Sequence, residues 1–470
     1  MDLRQHKDAL VVAAAGLFAR LAVVAWAASR IPAAADGVYY DKVAARIAHG
    51  DGYTWLWPDG AVTYAAHYPV GYPAIVAAGY AVFGAHPVVA MLINALLGAA
   101  AGVATHTMVR AVRPAAALWA GLAVALHPAL VPYTPAMMTE GPTAALLVLA
   151  GAFAVKRWRL ATGLALGVAV LVRPQSLAFA PVLGALMFDT PRARATGAAL
   201  VTALALLVCA PWTVRNCVRM EKCALVSVNG GWNLAIGTQT EDGAWREIQV
   251  PPECRKVFQE AAKDECFGAA AKREILAHPG RWLAHAPAKL HATFDYFGAA
   301  PWYLHTANNA AFSYDAKVRL GTVETIVSRL LLAAALVGMA RAFAERRRGT
   351  LVLAPVVLCV LACFTVQAWP AYVLLGVLAL LRWREGVLFA YGGAVLLGTA
   401  TTHAVFFGAG RYGLVVVPFV TALALAQPPL KAHAWLRRRR TGDRRSPPPE
   451  ALPKAMGREE SPSSTERDAG

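Results

Sequence analysis

The feature that most constrains this chain is a succession of long apolar runs separated by short clusters of Lys and Arg. The first run covers residues 9–29, and similar runs recur along most of the sequence. A helix of about 20 apolar residues crosses the hydrocarbon core of a bilayer. Hydrophobic residues make up 57% of the chain and charged residues only 16%, which is too few for an ordinary soluble protein. The sequence therefore predicts an all-α polytopic membrane protein.

The apolar runs predict about 12 transmembrane helices, one pair of which is a hairpin at 160–188. Arg173 and Pro174 break this hairpin into two arms, each too short to cross a bilayer, so Arg173 is expected in a polar cavity. Short apolar helices at 36–50 and 72–84 are expected to lie along the membrane surface. The predicted spans are 9–29, 88–109, 115–134, 141–155, the two arms of 160–188, 196–213, 323–343, 350–368, 371–381, 386–407 and 413–427.

Polar stretches divide the chain further. Residues 1–430 are predicted to form the membrane domain, in which 30–87 is the first extracytoplasmic loop and 214–321 a larger extracytoplasmic segment. Residues 431–470 are rich in Arg, Pro, Ser and Glu. This composition predicts a basic, disordered cytoplasmic tail.

The net charge of +17 is distributed in a way that argues against a nucleic-acid partner. The basic residues cluster at helix ends on one predicted side, as the positive-inside rule requires. This places both chain ends in the cytoplasm and the polar loops with the candidate site residues on the periplasmic side. The composition favours a bacterial inner membrane. Anionic membrane lipids are the expected partner of the last cluster. The clusters are Arg110 with Arg113, 156–159, Arg192 with Arg194, Arg341 with 346–348, Arg382 with Arg384, and 437–440.

The seven cysteines fall into two groups. Cys209, Cys359 and Cys363 lie in apolar runs and are expected to be small core residues. The other four lie in the large extracytoplasmic segment, where an oxidising compartment permits two disulfides in any of three pairings. A zinc site is the alternative, although the spacing matches no usual ligand pattern. These four residues are Cys217, Cys223, Cys254 and Cys266.

Two acids stand at the predicted outer membrane face. Asp36 follows the first span, and Glu140 precedes another. Asp36 is interpreted either as a general base that removes a proton from an acceptor hydroxyl or as a helix cap. Glu140 is interpreted either as a first-turn acid favoured by the helix dipole or as the partner of Asp36 in a divided carboxylate site.

Three arginines lie at the same face, where the charge rule disfavours them: Arg173, Arg215 and Arg411. Because the guanidinium group binds phosphate through two parallel hydrogen bonds, three such residues indicate an anionic substrate such as a lipid phosphate. The alternative is that each arginine extends along the interface to reach water.

Aromatic and amide side chains surround these charges. The first loop holds Tyr40, His67 and Tyr68, which suit either an interfacial aromatic belt or a sugar-stacking platform; His67 is also a candidate acid or base. The segment at 227–237 offers Asn229, Gly230 and Asn233 for sugar hydroxyls or phosphate oxygens, or simply forms a tight turn. The sequence contains neither a Walker loop nor a dinucleotide fingerprint, which argues against nucleotide-driven work.

Taken in order, these motifs resemble glycosyltransferase family 39, the dolichyl-phosphate-mannose mannosyltransferase-like superfamily. Aminoarabinose transferases of lipid A have a similar layout. The resemblance covers residues 1–430. It is carried by Asp36, the tyrosines 39–40, G-x-G-Y at 50–53, Y-P-x-G-Y-P at 68–73, T-E at 139–140, R-P at 173–174, P-W-T-x-R-N at 211–216, N-G-G-x-N-L-x-x-G at 229–237, and R-Y at Arg411-Tyr412.

The resemblance implies a C-type glycosyltransferase fold and transfer of a sugar from a polyprenyl-phosphate donor, with inversion, on the extracytoplasmic face. It implies that Asp36 and Glu140 are catalytic residues. It also implies that Arg215 and Arg411 bind the donor phosphate, with Arg173 as a third candidate and Tyr412 beside them. Asp36 is followed by Gly37 rather than by a second acid, which leaves a lipid, glycan or protein acceptor open.

Two further points belong to this hypothesis. No cofactor is required, although a divalent metal ion bridging Glu140 and the phosphate is compatible with the sequence. The main alternative function is a transporter or flippase of a lipid-linked sugar, which is expected to carry paired repeats and acids deep within its spans. The acids singled out here cluster at the outer face instead, which favours the enzyme.

Overall fold

The computed structural model describes residues 3–296, 298–344 and 349–427. The predicted cytoplasmic tail at 431–470 lies outside these ranges, as do the basic clusters at 346–348 and 437–440.

The amino-terminal half is built from helices that follow one another closely. The first loop adds two short strands, β1 (Thr54–Leu56) and β2 (Val62–Tyr64), which pair antiparallel. The helices are α1 (Leu3–Ala27), α2 (Asp36–Ala48), α3 (Gly71–Phe83), α4 (Pro87–Arg110), α5 (Ala117–Ala125), α6 (Glu140–Val155), α7 (Arg159–Val172), α8 (Phe179–Leu186) and α9 (Pro191–Arg219), with 3-10 turns at Pro114–Ala116 and Pro174–Ala178.

The carboxy-terminal half begins with the large polar segment and returns to apolar helices. Its helices are α10 (Gly230–Gln239), α11 (Glu260–Ala277), α12 (Pro279–Ala284), α13 (Ala286–Phe294), α14 (Ala299–Ala307), α15 (Tyr314–Ala344), α16 (Gly349–Thr365), α17 (Trp369–Leu381), α18 (Val387–Val405) and α19 (Val417–Ala426), with 3-10 turns at Pro252–Cys254, Trp383–Glu385 and Gly410–Val416.

The prediction of an all-α polytopic membrane protein is confirmed. Within the described ranges, five helices are long and apolar enough to cross a membrane by length and composition, and shorter apolar helices of 10–17 residues accompany them. The two arms of the broken hairpin are α7 and α8, and the expected surface helices are α2 and α3. The five long helices are His6–Ala27, Pro87–Arg110, Pro191–Arg219, Tyr314–Ala344 and Val387–Val405.

The predicted span at 115–134 is wrong over its second half. Helix α5 ends at Ala125, and residues 126–139 form turns and irregular backbone. Pro128 contributes to this early end because proline has no N–H to continue a helix. The buried side chain of Arg20 donates a hydrogen bond to the Ala125 carbonyl at 2.6 Å, which satisfies one of the acceptors left open where the helix stops.

The strand pair of the first loop is a feature that the sequence analysis missed. Its turn contains Pro58, Asp59 and Gly60, and Gly60 has a φ of 86°. Pro-Asp-Gly between two runs of β-branched and aromatic residues is a typical hairpin signal. The hairpin lies between α2 and α3, next to the loop residues that reach the site.

Candidate active site

Asp36 is the first residue of α2 and presents its carboxylate to a cavity. Its side chain is 26% exposed, and its Oδ2 lies 3.0 Å from Nη2 of Arg411. Its Oδ1 accepts a hydrogen bond from the Tyr68 hydroxyl at 3.1 Å. The preceding Ala35 has a φ of 50° and a ψ of −134°, a conformation that costs roughly 1–3 kcal/mol for a residue with a Cβ. The surrounding structure therefore holds Asp36 at the start of the helix against local backbone preference.

Glu140 is the first residue of α6, and its side chain is only 1% exposed. Its Oε1 lies 2.5 Å from Nη2 of Arg173 and 3.4 Å from Nε of Arg411. Its Oε2 accepts a hydrogen bond from the Tyr133 hydroxyl at 2.9 Å. A buried carboxylate is tolerated only when it is paired and hydrogen-bonded, and Glu140 meets both conditions. It therefore joins the two arginines of the site.

Arg173 reaches this network because helix α7 ends immediately before it. Pro174 disfavours helical backbone in the preceding residue, and Arg173 is extended, with φ −145° and ψ 109°. Its Nε donates to the Thr139 hydroxyl at 3.0 Å, and its guanidinium carbon lies 4.9 Å from the centre of the Tyr412 ring. The Tyr412 ring also stacks on the His403 ring, with the ring centres 4.3 Å apart and the planes inclined by 13°. These contacts fix the direction of the guanidinium group.

Four charged side chains line a cavity of about 530 Å³: Asp36, Glu140, Arg173 and Arg411. Their two carboxylates and two guanidinium groups balance, so the net charge of this group is close to zero. Residues 224–233 form one wall, and the exposed Trp245 stands at another part of the lining. Of the predicted site residues, all but Arg215 line this cavity: Asp36, Tyr40, His67, Tyr68, Glu140, Arg173, Asn229, Gly230, Asn233, Arg411 and Tyr412.

Arg215 lies outside the cavity lining and holds the first loop. Its Nη2 donates to the Tyr53 carbonyl at 2.8 Å, and its Nη1 donates to the Ala65 carbonyl at 2.9 Å. The guanidinium carbon also packs 4.6 Å from the centre of the Trp212 ring. These contacts give Arg215 a structural role between α9 and the loop, and its predicted contact with a donor phosphate stays a prediction.

The sequence analysis missed Glu260, which holds the loop from the other side. Its Oε2 accepts hydrogen bonds from the backbone N–H groups of Ala66 at 2.7 Å and His67 at 3.1 Å. Burial raises the pKa of Glu260, and these two hydrogen bonds oppose the rise. The acid begins α11, some 194 residues from its partner Ala66, so no local sequence signal could have indicated the pairing.

His67 is held as a neutral ring in the cavity wall. Burial lowers its pKa to about 4, and the nearby Asp36 carboxylate opposes this shift. The ring stands edge-on to Tyr68 at 4.8 Å and to Trp232 at 5.5 Å. Near neutral pH the imidazole therefore carries no charge and packs among aromatic rings, and its predicted part in acid–base chemistry stays a prediction.

The structure pairs the four cysteines of the polar segment as Cys217–Cys223 and Cys254–Cys266. This resolves the three pairings that the sequence left open and leaves no thiolates there for the alternative zinc site. The first bridge directly precedes the cavity wall at 224–233. The second joins the turn Pro252–Cys254 to α11, which carries Glu260.

The residues present do not fit a metal ion at Glu140. Its two oxygens are already engaged by Arg173, Arg411 and Tyr133, so a cation would have to displace another cation. Within the described part of the chain, no group of three or more His, Cys, Asp and Glu side chains is arranged to hold a metal.

Comparison with known proteins gives structural similarity only. No protein-family model matches the chain, and no curated protein matches it. Among solved structures it is similar to ArnT from Cupriavidus metallidurans bound to undecaprenyl phosphate, at 18% identity and a TM-score of 0.38 over 89% of this chain and 77% of that one. It is also similar to the apo form of the Archaeoglobus fulgidus oligosaccharyltransferase, at 14% identity and a TM-score of 0.42 over 94% of this chain and 58% of that one. At these values the similarity assigns neither a substrate nor a residue role to this chain.

Proposed function

We propose that this chain is an integral-membrane glycosyltransferase of the C type. It moves a sugar from a polyprenyl-phosphate donor to a lipid, glycan or protein acceptor on the extracytoplasmic face of a bacterial inner membrane. One observation carries the proposal. An accessible carboxylate, Asp36, lies 3.0 Å from the guanidinium group of Arg411 in a cavity that Arg173 also lines.

The chemistry needs a base that takes the acceptor proton and a cation that stabilises the departing phosphate. The acceptor oxygen forms a bond to the anomeric carbon while the bond from that carbon to the phosphate oxygen breaks. The acceptor proton passes to the Asp36 carboxylate, and the electron pair leaves with the lipid phosphate. Arg411 and Arg173 stabilise the negative charge that develops there, through hydrogen bonds fixed before the reaction begins. Attack opposite the leaving group inverts the anomeric centre.

The two acids have different roles in this proposal. Asp36 is 26% exposed and touches the space where substrates enter, whereas Glu140 is 1% exposed and touches the arginines. Asp36 is therefore the proposed catalytic base. Glu140 is a positioning residue that acts through Arg173 and Arg411, which differs from the catalytic role that the sequence analysis gave it.

The test is transfer of radiolabelled sugar from a panel of polyprenyl-phosphate sugars to membrane acceptors. Asp36→Asn keeps the size of the side chain but cannot accept the acceptor proton. The matched control is Asp41→Asn, which makes the same change on the same helix, where Asp41 accepts a hydrogen bond from Tyr80 at 2.6 Å. We expect transfer to fall by roughly 10²–10⁴-fold in Asp36→Asn and to persist in the control.

Equal activity in the two variants at wild-type level would remove Asp36 as the base. Loss of transfer by both variants to the same degree would indicate damage to α2 rather than loss of a base. Absence of transfer by the wild-type protein from every donor tested would count against the enzyme.

Transport of a lipid-linked sugar is the second candidate function, and one observation favours it. Glu324 lies on α15, is fully buried, and has no hydrogen-bond partner for either carboxylate oxygen within the described residues. Ionisable residues buried in membrane helices often mark transport pathways. Translocation of a lipid-linked sugar across reconstituted vesicles, lost in Glu324→Gln, together with absent sugar transfer would favour the transporter.

A further inference from the structure

A second cavity, of about 480 Å³, lies at the other end of the helices that carry the active site. Helix α6 begins with Glu140 at the active site and ends with Val155 in this second cavity. Helix α18 runs the opposite way, from Val387 in the second cavity to the region of His403 in the first. Its 19 residues correspond to roughly 28 Å, so the two cavities are separate sites.

The second cavity carries a surplus of positive charge. Its lining includes Arg157, Arg194 and Arg384 against one acid, Asp189, which leaves a surplus of two positive charges. Arg157 and Asp189 form an ion pair at 3.2 Å, but their side chains are 60% and 80% exposed. An ion pair this exposed contributes little to stability, so an anionic ligand can replace Asp189 at small cost.

Two of these arginines lie beside one aromatic ring at the cavity wall. The guanidinium carbons of Arg194 and Arg384 lie 5.0 Å and 5.2 Å from the centre of the Trp383 ring. Arg194 is fixed further by donating from Nε to the Phe188 carbonyl at 3.0 Å. The neighbouring Arg382, in contrast, is buried and donates to Glu385 and Gln427. Within the described ranges, Arg194 and Arg384 are thus oriented without an ion pair to a carboxylate.

The third arginine occupies an unfavourable backbone position. Arg157 follows the end of α6 with a φ of 57°, and the N–H of Trp158 bonds back to the Phe153 carbonyl at 2.9 Å. Glycine is favoured at this point of such a helix end because it has no Cβ to strain the left-handed conformation. A long cationic side chain stands there instead, at the mouth of the basic cavity.

The rest of the lining is apolar, and it includes the start of α18. Helix α18 begins with Val387, and its amino-terminal N–H groups favour negative charge. A ligand that matches both halves has a phosphate at one end and hydrocarbon at the other. The apolar part of the lining includes Met108, Val112, Phe188 and Leu388.

We propose that this cavity binds the phosphate of an anionic membrane lipid. The phosphate lies among Arg194, Arg384 and Arg157 at the start of α18, and the acyl chains lie along the apolar lining. Basic pockets between membrane helices are a recognised type of site for anionic headgroups. Free phosphate shares the charged half of this chemistry but makes no use of the apolar half, and the test separates the two sources.

The test is native mass spectrometry of the purified full-length protein titrated with phosphatidylglycerol, with phosphatidylcholine as the neutral lipid. The variants are Arg384→Gln alone, whose side chain is exposed and outside the core, and Arg194→Gln with Arg384→Gln. The matched control is Arg192→Gln, which removes an exposed arginine on α9 that is not part of the lining. A parallel titration uses inorganic phosphate at equal concentration and follows displacement of the bound lipid.

We expect the wild-type protein and Arg192→Gln to retain phosphatidylglycerol in preference to phosphatidylcholine. The affinity of the protein for phosphatidylglycerol should fall by about tenfold in Arg384→Gln and further in the double variant, because each substitution removes a charged hydrogen-bond donor to the phosphate. Inorganic phosphate should not displace the lipid. Equal losses in Arg192→Gln and Arg384→Gln would overturn the proposal, because they would show diffuse charge attraction. Unchanged retention in Arg384→Gln, or binding of inorganic phosphate in place of the lipid, would also overturn it.

Discussion

At the scale of single residues, the difference in burial between two similar acids is the basis for the two roles proposed for them. Glu140 accepts hydrogen bonds or ion pairs from three groups and is nearly inaccessible, while Asp36 keeps part of its carboxylate open to the cavity. If both acids acted directly on substrate, both would need access to it. The structure gives that access to Asp36.

Replacement of Glu140 by Gln should therefore weaken donor binding and transfer together. Loss of the negative charge leaves Arg173 and Arg411 without the group that joins them, and we expect kcat/KM to fall by about 10²-fold through misplacement of the phosphate-binding groups. Steady-state kinetics with varied donor should show a rise in KM for the donor and little change in KM for the acceptor. Tyr133→Phe, which removes only one hydrogen bond to Glu140, is the graded control and should lose less.

Wild-type kinetics in Glu140→Gln would show that the arginines hold their positions without it. A fall in kcat with unchanged KM for the donor would assign Glu140 a role in the chemical step itself. Either result would contradict the positioning role.

His67 should make the stability of the protein depend on pH below neutrality. Burial lowers its pKa from 6.5 to about 4, so the unfolded state binds more protons than the folded state between these values. The contribution of neutral His67 to the stability of the folded state is therefore complete above pH 6.5 and is lost as the pH falls toward 4. The thermal unfolding temperature of the wild type in detergent, measured at a fixed scan rate, should therefore fall more steeply over this range than that of His67→Gln. Parallel curves for the two proteins would contradict this assignment of the pKa.

At the scale of elements, the sequence predicted best the helices that are each formed by a single apolar run. The predicted span at 141–155 is α6, and the broken hairpin appears as α7 and α8 with its break at Arg173 and Pro174. The predicted span at 115–134 was wrong because hydropathy measures only how apolar a stretch is. A stretch with several prolines can leave the helical conformation when other groups form hydrogen bonds with its backbone. Arg20 supplies one such group from α1.

The candidate site was predictable to a similar extent and for a similar reason. Asp36, Glu140, Arg173 and Arg411 could be selected because charged residues at helix ends near lipid are costly unless they have a use. Their mutual distances could not be predicted, and neither could the commitment of Arg215 to two backbone carbonyls. Backbone acceptors in a distant loop leave no trace in the residue types, and the pairing of Glu260 with Ala66 was missed for the same reason.

The two disulfides hold the elements that form the cavity wall and its support, and their pairing can be checked by alkylation. Denatured protein treated without reductant should be labelled at Cys209, Cys359 and Cys363 alone, and at all seven cysteines after reduction. Peptide mapping should recover Cys217 joined to Cys223 and Cys254 joined to Cys266. Labelling of all seven without reductant, or a bridge between the two pairs, would contradict the structure.

At the scale of the whole molecule, the first loop and the large polar segment belong to one face. Glu260 of α11 accepts the backbone N–H groups of Ala66 and His67, and the Val228 N–H donates to the Ala66 carbonyl at 2.9 Å. Helices α6, α7 and α9 have one end near this face, and the basic clusters at 156–159 and around Arg192 lie at their other ends. The positive-inside rule then supports the proposed orientation, in which the candidate site lies outside the cytoplasm.

This orientation predicts which surface positions a membrane-impermeant thiol reagent reaches in cells with an intact inner membrane. Asp59→Cys in the first loop and Phe258→Cys in the large segment are exposed and should be labelled, whereas the exposed Arg192→Cys should be labelled only after detergent is added. The wild type provides the background, since Cys209 and Cys363 are buried and Cys359 is partly buried. Labelling of Arg192→Cys alone would reverse the proposed orientation and place the candidate site in the cytoplasm. Labelling of only one of the other two would contradict the contact between the loop and the segment, and with it the cavity that both help to form.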